Sequence, residues 1–101
     1  AVEFSADGII LNRTNFPSKP FIKVYGTGTG SVGVGSETIS ITNLDGYMDI
    51  DCEIMDAYKG AVNCNSYVSF TDDIVLHPGE NNISFDGDIT SIEITPRWYI
   101  I

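Results

Sequence analysis

Asp49, Asp51 and Glu53 alternate with Ile50, Cys52 and Ile54, the densest set of chemistry-bearing side chains in the sequence. In an extended segment, a rise of ~3.3 Å per residue puts the three carboxylates in a row on one face, about 6.5–7 Å apart. Three chemistries fit that row. Carboxylates about 6.5–9.5 Å apart serve inverting glycoside hydrolysis. Oxygen ligands suit calcium. An acidic face opposite a buried Ile-Cys-Ile face is also what a half-buried antiparallel strand displays. Nothing in the sequence marks a cleft or a raised pKa there, so the solvated face is the reading that demands least.

The other reactive residues are isolated. His77 is the only histidine, and neither a G-x-S-x-G nor a cysteine-protease signature accompanies it. It precedes Pro78-Gly79, which places it in an exposed turn. Gly26, Gly28, Gly30, Gly33 and Gly35 crowd one stretch, but the pattern is not G-x-x-x-x-G-K-[ST] and no helix follows. Cys52 and Cys64 lack the C-x-x-C spacing of zinc or redox sites. They are either a disulfide or two unrelated small side chains, since a bond needs Cα atoms within about 7 Å. Trp98, the only tryptophan, is either a platform for a sugar ring or a core residue, and its neighbour Ile100 favours the core. Asn12-Arg13-Thr14 and Asn82-Ile83-Ser84 match a glycosylation sequon that is common by chance. No catalytic, cofactor-binding or metal-ligating set emerges, and no enzymatic activity is expected.

The elements that must position these residues are strands. Phe21–Tyr25 alternates, with Phe21, Lys23 and Tyr25 on one face and Ile22 and Val24 on the other. Pro20 suits the entry to that strand and Gly26 its end. The glycine-rich run to Gly35 reads as a hairpin turn leading into a weak strand. Thr38–Thr42 alternates with Ile39 and Ile41 inward, and Asn43-Leu44-Asp45-Gly46 reads as a turn because Asp-Gly is a strong hairpin dipeptide. Tyr47–Met55 reads as a longer strand, Lys59-Gly60 as a turn, and Asn63–Ser66 as a polar loop. Ile74–Leu76 is a short apolar run stopped by turn residues. Asn82–Phe85 and Ile89–Thr95 alternate with Ile83, Phe85, Ile92 and Ile94 inward, joined by a tight turn at Asp86-Gly87-Asp88. After Pro96, residues 97–101 read as a final strand. About eight to ten short strands with brief connections predict an all-β antiparallel sandwich over residues 1–101, without a second domain.

Composition narrows the partners. The 101 residues carry 14 acidic against 5 basic side chains, a formal charge of −9 and a pI near 4.1. Arg13, Lys19, Lys23, Lys59 and Arg97 form no cluster in sequence, so the basic stripe that nucleic acid requires is missing. The same balance argues against anionic membranes. No apolar run approaches the roughly 20 residues of a membrane span, and no signal-peptide pattern is visible. A start at AVEFS, without Met, reads as a piece of a longer protein. A partner face is expected to be neutral or basic.

In order along the chain, NFPSKPFIKVYGTG (15–28), GYMDIDCEIMDAYKGAVNCNS (46–66) and LHPGENNISFDGDITSIEITPRWYII (76–101) resemble the C-terminal, galectin-like domain of siphophage distal tail proteins. Those proteins come from phages and prophages of Gram-positive bacteria. The most specific pieces are P-S-K-P-x-I-K-V-Y-G, I-D-x-E-x-M-D-A-Y-K-G and the closing P-R-W. The resemblance implies a galectin-like or jelly-roll-like sandwich that projects from a hexameric ring made by an N-terminal domain. It implies a structural role at the distal end of the tail, holding or spacing receptor-binding and other baseplate proteins. Without the ring-forming half, the chain is expected to be monomeric or only weakly associated. Cys52 stands where the family often has Ser, and position 64 is usually polar, so the family pattern gives a disulfide no support. A galectin sugar site uses His-x-Asn-x-x-Arg with a tryptophan platform. Here His77 is followed by Pro-Gly-Glu-Asn, and no arginine comes before Arg97. A carbohydrate-binding module that aids adhesion to the host wall, through a different surface, is the alternative function.

Overall fold

Residues whose side chains alternate between apolar and polar need an extended backbone to bury one set and solvate the other, and this chain does so over unusually long stretches. The computed structural model describes residues 2–97. Among them run eight strands: β1 (Val2–Phe4), β2 (Gly8–Asn12), β3 (Phe21–Val34), β4 (Glu37–Asp51), β5 (Asp56–Lys59), β6 (Val62–Asn63), β7 (Val68–Phe70) and β8 (Gly79–Thr95). One short 3-10 turn, Asn65–Tyr67, precedes β7. Every pairing is antiparallel. The order is β1-β8-β3-β4-β5-β6, with β2 added to β8 and β7 added to β4.

The three long strands belong to two half-sheets at once. In the first, β1, the end of β8, the start of β3, the end of β4, β5 and β6 lie side by side. In the second, β2, the start of β8, the end of β3, the start of β4 and β7 do so. Ile22, Val24, Met48, Ile50, Ile92 and Ile94 of the first half join Ile10, Val32, Val34, Ile39, Ile41 and Ile83 of the second in one buried cluster. The sheet therefore doubles back on itself, and the fold is all-β and sandwich-like. Each aliphatic residue withdrawn fully from water contributes roughly 1.5–3 kcal/mol.

The crease falls where β3 is richest in glycine. Its register against β8 shifts between Tyr25 and Gly30, and against β4 between Gly28 and Gly30. Gly87 in β8 has φ +70, and a Cβ there would lie 2.5 Å from the Thr29 carbonyl oxygen. In β4 the same level is marked by Asn43 at φ 52 and Gly46 at φ 86. Carboxylates take over hydrogen bonds at the interrupted ladder. Thr29 N–H donates to Asp88 Oδ2 at 3.0 Å, and Ser31 donates to Asp86 Oδ1 from its amide at 3.0 Å and its hydroxyl at 2.6 Å.

Several sequence expectations change accordingly. Gly26 does not end a strand, Asp45-Gly46 is not a hairpin turn, and Asp86-Gly87-Asp88 does not separate two strands: each is a bend inside a continuous strand. A positive-φ residue permits a turn or a bulge equally well, and pairing across the sheet decides between them. The hairpin between β3 and β4 turns at Gly35-Ser36 instead, where Gly35 has φ 63. The strand expected to reach Met55 stops at Asp51. Cys52 N–H donates to the Pro20 carbonyl, Met55 adopts φ 55, and Ile54 is 61% exposed rather than inward. The apolar run Ile74–Leu76 buries Ile74 and Leu76 without forming a strand, and among the described residues Leu76 pairs in an isolated bridge to Ser18. Arg97 follows β8 without joining a strand, whereas Trp98 and the rest of the expected final strand lie outside the described residues.

Candidate functional site: an aromatic and lysine face on the first half-sheet

Alternation that buries Ile22, Val24, Met48 and Ile50 necessarily turns Phe21, Lys23, Tyr25, Tyr47 and Asp49 outward. Pairing then lines them up. Across the first half-sheet, Glu3, Glu93, Lys23, Asp49 and Tyr58 form one row, and Ser91, Tyr25 and Tyr47 form the next. The Lys23 ammonium does not settle between its two carboxylate neighbours. It lies 4.7 Å from the Tyr47 ring centre and 5.7 Å from that of Tyr25. From the other side, the Lys59 ammonium lies 5.1 Å from the Tyr47 ring and also donates to the Asp45 carbonyl oxygen. Phe21 and Tyr58 meet at 6.4 Å with their rings tilted by 56°. All four rings are half-buried, so each keeps part of its surface open to solvent.

The carboxylate row of the sequence is broken up. Asp49 stays in the aromatic face, Asp51 turns to Arg97, and Glu53 lies past the strand end. Arg97 donates to Asp51 Oδ1 at 2.7 Å and to the Lys19 and Pro20 carbonyls at 2.9 and 3.1 Å. Glu53 sits 3.8 Å from the same guanidinium. The hydrogen bond from Arg97 holds the Asp51 carboxyl below its ordinary range, and Asp51 in turn raises the Arg97 pKa. A glycosidase acid needs the opposite shift. Nor do three His, Cys, Asp or Glu side chains converge as a metal site among the described residues. His77 is exposed, beside a hollow of about 220 Å³ with Glu37, Asp72 and Asp73. Cys52 and Cys64 are free and buried, and burial pushes the Cys52 thiol up to about 12.

Where the crease opens, an open groove of about 590 Å³ borders the aromatic face. Tyr25 forms one wall, Thr27, Asp88 and Thr90 supply polar atoms, and glycines of the three long strands form the floor. Among the described residues no basic side chain lines it, although the Lys59 ammonium lies 3.9 Å from where a Cβ of the lining Gly46 would sit.

Sequence alternation alone placed Phe21, Lys23 and Tyr25 together. The contributions of Tyr47 and Tyr58 depend on the registers Tyr25↔Tyr47 and Asp49↔Tyr58, which no local pattern encodes. Compared with models of known protein families, with curated proteins and with solved structures, the chain has no match.

Proposed function

We propose that this chain is a non-catalytic docking or spacing domain of a phage tail tip, in the manner of the C-terminal domain of a distal tail protein. The observation that carries the docking part is the solvent-facing platform of Phe21, Tyr25, Tyr47 and Tyr58 with Lys23 laid across it. Tyrosine and other aromatic side chains concentrate at protein interfaces, where they supply contact area at little entropic cost. The placement in a virion rests on the resemblance of residues 15–28, 46–66 and 76–101 to the distal tail family. The fixed, low-pKa Asp51 supports a role without acid catalysis. On this reading the partners are other tail and baseplate proteins, the parent protein forms a hexameric ring, and the isolated domain is a monomer. Immunogold labelling of purified tails with antibody against the chain tests it. Label at the distal tip is expected, and unlabelled particles would refute the virion placement.

A second reading draws on the groove beside Tyr25. An aromatic wall with hydroxyl and carboxylate groups is suited to an uncharged, hydroxyl-rich ligand, and the Asp88 carboxylate in the lining favours a neutral wall saccharide over an anionic polymer. Calorimetry with neutral wall oligosaccharides distinguishes the readings. Saturable heat lost in Tyr25→Ala supports adhesion, and silence across the panel leaves docking.

A further inference from the structure

We infer that the outer face of the first half-sheet receives a protein partner through arginine side chains, set around an apolar centre on the partner's surface. The inference rests on the docking reading and names its surface and chemistry. Its starting point is the position of Lys23. In register, Lys23 stands between Glu93 on one neighbouring strand and Asp49 on the other. A lysine so placed is expected to be shared between the two carboxylates, yet its ammonium rests over the Tyr25 and Tyr47 rings. Among the described residues, neither Asp49 nor Glu93 has a cation within 4.0 Å. The face therefore presents carboxylates without ion-pair partners, with Asp49 in register beside Tyr58, a ring that no ammonium covers among the described residues.

Arginine matches that pairing better than any other side chain. Its planar guanidinium stacks on an aromatic face and forms two parallel hydrogen bonds to a carboxylate, whereas an ammonium is a hydrated point charge without a plane. The net charge of −9 adds a long-range attraction for a basic surface and repels acidic ones. The opposite outer face has carboxylates, Glu80 and Asp86, and exposes Ile9 and Leu11 on β2, but among the described residues it has no aromatic ring beside them. On its other strands Ser31, Gly33, Thr38, Ser40, Ser69 and Ser84 face outward with small side chains. The two outer faces of one sheet thus differ in chemistry, and only the first combines stacking area with uncompensated charge.

The test uses the 101-residue chain, ¹⁵N-labelled, titrated separately with acetyl-Arg-Leu-Arg-amide, acetyl-Lys-Leu-Lys-amide and a neutral chitin trisaccharide. The arginine peptide is expected to shift the amides around Lys23, Tyr25, Tyr47, Asp49 and Glu93 saturably, about 5-fold or more tighter than the lysine peptide. The double variant Asp49→Asn, Glu93→Gln, checked for an unchanged spectrum, is expected to weaken that response about 10-fold. Equal responses to the two peptides, shifts scattered over all surface carboxylates, or a saccharide response at this face would each overturn the inference. Immunogold labelling of the tail tip decides the docking reading separately. Label at the tip with no arginine response removes this inference alone, and unlabelled particles remove the reading beneath it.

Discussion

Gly87 and Gly35 have nearly the same positive φ and opposite surroundings, and the pair measures how tightly the crease is closed. Their φ values are +70 and +63, so an alanine at either position meets the same left-handed strain, roughly 1–2 kcal/mol. At Gly35 a Cβ would have nothing within 4 Å. At Gly87 it would lie 2.5 Å from the Thr29 carbonyl oxygen and 2.8 Å from Gly30 Cα. Both obstacles are backbone of the adjacent β3, so no rotamer change can relieve them. Relief requires β8 to move away from β3 at the point where both bend. Overpacking of this kind adds about 1–3 kcal/mol. Gly87→Ala should therefore be destabilised by about 2–5 kcal/mol and Gly35→Ala by about 1–2 kcal/mol. Against a domain stability of about 5–15 kcal/mol, the first is a severe loss. With a urea slope of about 1–3 kcal/mol/M, the two unfolding midpoints should differ by about 1 M, read by circular dichroism. Gly60→Ala, also at positive φ with nothing within 4 Å, should behave like Gly35→Ala. If all three variants shift the midpoint equally, the close approach of β8 and β3 is not a structural constraint and the crease argument fails.

Acid should separate the wild type from Arg97→Met. Because Arg97 lowers the folded-state pKa of Asp51, their bond stabilises the fold above the unfolded value of 3.8 and is lost as pH falls through the lower folded value, so urea midpoints at pH 6 and pH 3 should converge between the two proteins in acid. A constant gap at both pH values would contradict the assignment. Asn12 is 2% exposed and donates to the Phe16 and Leu76 carbonyls, whereas Asn82 is exposed. Asn12→Asp should thus cost about 1–3 kcal/mol and Asn82→Asp less than about 0.5 kcal/mol in the same assay, with equal losses counting against the buried bond. Cys52 and Cys64 should resist a thiol reagent in the native protein and react fully in denaturant, while rapid native labelling would contradict their burial. The double variant Tyr25→Thr, Tyr47→Thr removes cross-strand and cation–π contacts worth together about 1–2 kcal/mol, against about 2–5 kcal/mol for Ile22→Ala in the core. A Tyr loss as large as the Ile22 loss would make those rings part of the structural framework.

Alternation made much of the architecture legible. Ile22, Val24, Ile39, Ile41, Ile83, Ile92 and Ile94 are all inward, and Phe21, Lys23 and Tyr25 share the outer face. Strand ends were less legible because glycine is ambiguous. At Gly26, Gly46 and Gly87 the local signal for a turn was real, and each residue does depart from regular strand geometry. What converted those turns into bends was pairing with residues 20 or more positions away, such as Gly46 with Gly26 and Gly26 with Ile89. The end of β4 was missed for a related reason. Ile54 continues the alternation, but the bond from Cys52 to Pro20 and the reach of Arg97 to Asp51 hold the chain in a different course. The aromatic face was half visible for the same cause, since Tyr47 and Tyr58 joined it only through cross-strand register.

The two half-sheets provide a comparison within one molecule. They share β3, β4 and β8, and both bury aliphatic side chains in the same core. If stability alone governed the outward positions, the two outer faces would face similar demands. On the three long strands the second half meets them with Ser31, Thr38, Ser40 and Ser84, and with Gly33 where a Cβ would come within 2.4 Å of the Ser84 hydroxyl, while its edge strand β2 exposes Ile9 and Leu11. Pairing of the three long strands therefore does not require large outward side chains on β3, β4 or β8. The first half nevertheless carries Phe21, Tyr25, Tyr47 and Tyr58, with Lys23 diverted from neighbouring carboxylates onto two of the rings. Partly exposed rings lose much of the burial that would justify them as core, while they retain the area and stiffness that suit contact with another molecule. On the three long strands the difference between the faces is thus a feature that folding leaves unexplained, and on the proposed docking reading it makes the aromatic face the first place to look for a partner.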